Sequence, residues 1–99
     1  MARSVRYHLL FDSDVLEAAD WYDNRSMGLG TAFVNEARRI TEAVIRSPEL
    51  YGLTPTGLRF ARLNRFPYLV LFDFSDEELL LLGVLHGARS IEAWQQTRK

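Results

Sequence analysis

Residues 79–86, LLLLGVLH, carry no polar side chain until the histidine that ends them. The run has the length of a strand and falls far short of the roughly 20 apolar residues a membrane span needs. A half-buried strand alternates apolar and polar side chains; this one does not, so both of its faces must be covered. It is therefore expected to be a central strand with packing layers on two sides. The preceding letters supply its neighbours. LRFARL (58–63) alternates as a half-buried strand, NRFP turns the chain, YLVLFDF (68–74) forms a second strand and SDEE turns it again. A chain of 99 residues can build this around one core, so residues 1–99 are expected to be one domain.

The other layers are sought upstream and downstream. RYHLLF (6–11) is rich in strand formers and predicts a first strand. Asp12 is placed to cap a following helix, with Leu16 stapled onto Phe11 and with Asp14 and Glu17 favouring the positive helix end. Val15, Ala19 and Tyr22 recur at helical spacing until NRSMGLG breaks the pattern. A second helix is expected over 31–46, with Phe33, Ala37, Ile40 and Val44 as its apolar stripe and a Glu42–Arg46 pair on its wet side. Pro48 stops it, and the two helices read as an antiparallel hairpin. SPELYGLTPTG (47–57) reads as a loop. Ser90 can cap a short last helix carrying Glu92 and Trp94. The order β-αα-βββ-α predicts an α+β fold: an N-terminal strand and a helical hairpin packed on a largely antiparallel four-stranded sheet, closed by a short C-terminal helix.

Composition removes several classes of function. There is no cysteine, so disulfide and thiolate-metal chemistry are absent. The first residues lack the apolar core and cleavage site of a signal peptide, and a cytoplasmic location is expected. The net charge of -1 speaks against a wholesale polyanion binder. Lys99 is the only lysine among 12 basic residues, so the positive charge is carried by arginine forks. GLGTAF has no third glycine and joins two helices, which makes it helix punctuation and not a phosphate loop. His8 and His86, both expected on strands, lack the carboxylate pattern of a metal site, and no metal or other cofactor is expected.

Chemistry is left to the arginines and to His86. Arg59, Arg65, His86 and Arg89 around a sheet edge could hold a phosphate, with His86 in a proton role and Tyr68 as one candidate for the other. A strand-end histidine bonded to backbone is an equally good reading. Trp21, Tyr22 and Trp94 are large for short helices, and those left exposed would mark a partner surface.

AADWYDNRSMGLGTAFVNE, IRSPELYG, LRFARLNRFPYLVLF and VLHGARSIEAW occur in this order over nearly the whole chain. Arg59 with Phe66-Pro67-Tyr68, then His86, Arg89 and Trp94, follow the pattern of the ParE-like branch. On these segments the chain resembles the RelE/ParE superfamily of type II toxin-antitoxin toxins. The resemblance implies a toxin held in a hetero-oligomer by a cognate antitoxin, whose flexible segment wraps the helical hairpin and a free sheet edge; Trp21, Tyr22, Phe33 and Trp94 are the expected contacts. It implies action by binding a target such as DNA gyrase. The alternative is a RelE-like, ribosome-dependent mRNA endonuclease using Arg59, Arg65, Tyr68, His86 and Arg89. A remnant that only binds its antitoxin is a third reading. RelE-like members use a Lys/Arg cluster with a C-terminal tyrosine; this chain has no internal lysine and no tyrosine after Tyr68.

Overall fold

The computed structural model describes residues 3–98; Lys99, the lone lysine, lies outside them. The strands are β1 (Ser4–Tyr7), β2 (Gly52–Leu53), β3 (Arg59–Arg62), β4 (Tyr68–Phe74) and β5 (Glu78–His86). The helices are α1 (Phe11–Asp23), α2 (Leu29–Arg46) and α3 (Ile91–Gln96), with a 3₁₀ turn at Pro48–Leu50. One sheet runs in the order β1-β5-β4-β3-β2. β1 pairs parallel with β5 and every other neighbour is antiparallel. No described helix is long and apolar enough to cross a membrane.

The α+β architecture and the helical hairpin are as expected, but the sheet has five strands and not four. The added strand is β2, inside the segment read as a loop. It is two residues long and includes Gly52, whose missing side chain lets the Phe60 ring of β3 lie against it; a Cβ there would sit 2.8 Å from that ring. No period shows in so short a strand.

β5 explains its unbroken apolar run. Leu79, Leu81 and Val84 join the core under α1 and α2, whereas Leu82 and Leu85 face a second cluster with Leu58, Leu71 and Trp94 of α3. A bulge opposite Leu71 and Phe72 resets the alternation between Leu81 and Gly83, so Val84 returns to the hairpin side. On α2, Phe33, Ala37, Ile40 and Val44 are all buried, as their spacing requires. Gly28 starts that helix in the left-handed region at φ 88, which a side-chain-bearing residue rarely adopts.

The N-terminal expectations need correction. β1 ends at Tyr7, and His8 lies in the turn after it, donating its N–H to Leu81 O at 2.8 Å. Helix α1 begins at Phe11, with Leu10 at the cap position and no side-chain cap, so Asp12 is not the N-cap. Burial decides this: Phe11 is only 5% exposed and meets the Tyr7 ring edge-on at 5.2 Å, while Leu16 is 63% exposed and makes no staple. The Glu42–Arg46 pair does not form. The ion pair on α2 is Glu36–Arg39 at 2.9 Å, because Glu36 also accepts the Asn64 N–H from the β3–β4 turn at 2.7 Å.

Candidate functional site

β5 leaves the sheet through residues whose local bonds are set by sequence. Gly87 N–H donates to Pro67 O at 2.7 Å, and Ala88 N–H donates to His86 Nδ1 at 3.0 Å. Ser90 then caps α3, its hydroxyl accepting the Ala93 N–H at 3.2 Å. The cap turns the chain so that Trp94 folds back beneath the sheet. Arg98 reaches Asp14 at 2.6 Å, with both side chains nearly buried at 6% and 12% exposed. Asp14 also accepts the Val84 N–H at 3.0 Å. Gly83 makes room for this: a Cβ there would lie 2.4 Å from Asp14 and 2.5 Å from Trp94.

Between α1 and α3 lies a cleft of about 860 Å³ with His86 and Tyr68 in its floor. These two residues are register partners across β5 and β4, their rings edge-on at 5.1 Å. Arg89 and Glu17 stand on its walls, and half-exposed Trp21 joins them. Desolvation raises the Tyr68 pKa while the nearby Arg89 charge opposes the rise, so the phenol stays protonated at neutral pH.

Of the residues expected to hold a phosphate, the cleft gathers His86 and Arg89 and leaves out Arg59 and Arg65; Tyr68, the candidate for a proton role, is in it as well. Arg59 donates to Tyr51 O at 2.8 Å and lies 5.3 Å from the Phe74 ring centre. Arg65 lies over the Phe66 ring at 5.6 Å. Of the expected partner contacts, Phe33 is fully buried and Trp94 is 8% exposed, so both sit beneath the surface. Tyr22 is half-buried, stacked on Phe33 at 5.5 Å, and Trp21 alone is largely open.

A second concavity of about 590 Å³ runs between α1, α2 and the end of β1, with Tyr7, Phe11, Val15 and Leu16 among its apolar lining and Asp12, Arg38 and Glu42 as its charged lining. Tyr7 and Leu16 of this lining are exposed, Leu9 and Leu10 are exposed in the turn between β1 and α1, and β1 is a terminal strand of the sheet. The resemblance implied a helical-hairpin surface with a free sheet edge, but sequence reasoning named none of these residues as its contacts. Its signal was the apolar stretch Leu9–Phe11, read as strand interior when it is a turn feeding a helix.

This arrangement, a helical hairpin on one face of a mixed sheet and a short C-terminal helix on the other, is the RelE/ParE-like fold. The chain superposes on a chain of the "Chromosomal ParDE TA system from P. aeruginosa" with a TM-score of 0.73 and 16% sequence identity, over 85% of this chain and 95% of that one. No family model matches the chain, and no curated protein does.

Proposed function

We propose that the protein is the toxin of a type II toxin-antitoxin module, neutralised in a hetero-oligomer by an antitoxin and acting in the cytoplasm by binding a target such as DNA gyrase. The observation that carries the reading is the fold shared with a chain of a ParDE TA system over most of both lengths. The groove beside β1 supports it. An antitoxin segment with apolar side chains at strand or helix spacing would cover Tyr7, Leu9, Leu10 and Leu16 and gain backbone bonds from the open β1 edge. Of the contacts expected from sequence, Trp21, Tyr22 and Trp94 line the cleft on the other face of α1 and Phe33 is fully buried, so none of the four belongs to this groove.

The nuclease alternative draws on one feature, the shared cleft of Tyr68, His86 and Arg89. Proton transfer would require His86 to alternate between protonation states. Its Nδ1 already accepts the Ala88 N–H, which leaves Nε2 as the ring nitrogen open to a ligand. A hydrogen-bond donor is the role that suits it.

Induced expression of the chain without its partner, scored for growth, DNA-damage response and transcript integrity, tests the reading. Growth arrest with DNA damage and intact mRNA is the expected result. Cleaved transcripts that disappear in a folded His86→Ala variant would transfer the assignment to the nuclease, and unimpaired growth would leave only an antitoxin-binding remnant.

A further inference from the structure

The mouth of the cleft collects hydrogen-bonding groups that no described residue answers. His86 Nδ1 is committed to the Ala88 N–H, which assigns the proton of the neutral ring to Nε2, a donor on the cleft floor. Tyr68 lines the same cleft, its ring edge-on to the imidazole at 5.1 Å, and its hydroxyl has no hydrogen-bond partner among the described residues. The exposed Arg89 guanidinium acts electrostatically on that same phenol. Three donors of different kinds thus share one opening. Of the two acids on the α1 wall, Asp14 is already bonded to Arg98 and the Val84 N–H, which leaves Glu17 as the uncommitted acid among the described lining residues.

The geometry points to a seat for a single carboxylate, supplied by an acidic side chain of a protein partner and held by Arg89, His86 Nε2 and the Tyr68 hydroxyl. Charge selects this occupant over a nucleic acid. A polynucleotide gains affinity by meeting several cations along its backbone, and the cleft offers Arg89 alone, since Arg98 is tied to Asp14. Glu17 across the opening repels a phosphate run but matches a basic residue placed near the partner's acid. Trp21 on the same wall, half-exposed, gives such a segment an aromatic anchor.

The seat is distinct from the groove beside β1. α1 presents Asp14, Glu17, Ala18 and Trp21 to the cleft and Phe11, Asp12, Val15 and Leu16 to the groove, so the two openings use different faces of one helix. The seat therefore stands whether or not the chain proves toxic.

Titration of the isotope-labelled full chain with N-acetyl-L-glutamate, and separately with adenosine 5′-monophosphate, tests it by nuclear magnetic resonance. Saturable shifts at Tyr68, His86 and Arg89 with the carboxylate are expected, at a Kd on the order of 1–10 mM for so small a probe. Arg89→Gln should weaken binding about tenfold, the effect of one charged hydrogen bond, with the spectrum unchanged away from the mouth. Glu17→Gln should tighten it. Nucleotide binding as tight as or tighter than the carboxylate, with the Trp21 indole shifting, would overturn the assignment in favour of a nucleic acid. Absence of saturable shifts with either probe would also overturn it.

Discussion

Asp14 accepts from Arg98 and from the Val84 N–H, so one carboxylate ties α1 to β5 and to the residues after α3. Arg98 leans on the Trp94 ring at 4.7 Å, and its Nε and Nη1 are buried without a partner among the described residues. Removing Asp14 would leave that guanidinium buried with no counter-charge. Asp14→Ala is therefore expected to cost about 3–5 kcal/mol of stability, read as a lowered denaturant midpoint. Arg98→Leu should cost less, because it removes the under-satisfied charge and leaves Asp14 its bond to Val84. The sequence reading saw Asp14 only as an acid near a helix start. Its partners lie 70 and 84 positions away, and no local spacing encodes a contact of that range.

Elements were legible where period and burial agree. The α2 stripe and the three strands after Leu53 follow from letters that repeat at 3.6 or 2 residues or leave no polar face, and Ser90 caps α3 as its side chain allows. Boundaries failed where burial overrode local chemistry, as at Phe11, or where an element was too short to have a period, as at β2. The link between α2 and the β3–β4 turn also escaped notice, since Glu36 was not paired in sequence. Its two oxygens take the Arg39 Nε and Nη2, each at 2.9 Å, and this fork, with the Asn64 N–H, holds the Glu36 pKa below the usual range despite opposing desolvation. A lowered folded pKa means that the stabilisation is complete above the ordinary carboxylate range and is lost as pH falls through the folded value. Glu36→Gln should cost about 0.5–1 kcal/mol near neutrality, and it should flatten the acid limb of a plot of midpoint against pH.

Across the whole molecule, Tyr22, Phe33, Phe66, Tyr68 and His86 form one chain of ring contacts from the helical hairpin to the cleft. Burial raises the phenol pKa values of Tyr7, Tyr22 and Tyr68; Asp12 and Glu42 add to the first, Tyr68 adds to the second, and Arg89 opposes the third. Raised folded values keep their stabilisation whole below the ordinary phenol range and remove it as pH climbs through them. Melting temperature should therefore hold to about pH 10 and fall beyond it, with phenolate absorbance lagging that of the unfolded chain. The same wiring has a consequence for biosynthesis. β1, near the start of the chain, has its partner in residues 78–81, and Asp14 waits for Arg98. Such distant pairings close late and pay their loop entropy before any contact repays it. On the ribosome, the helical hairpin emerges long before the strand that covers its apolar face. A nascent chain thus has neither a paired β1 before residues 78–81 have been made nor a finished cleft before Arg98 has, so a polypeptide released before β5 is incomplete at both openings at once.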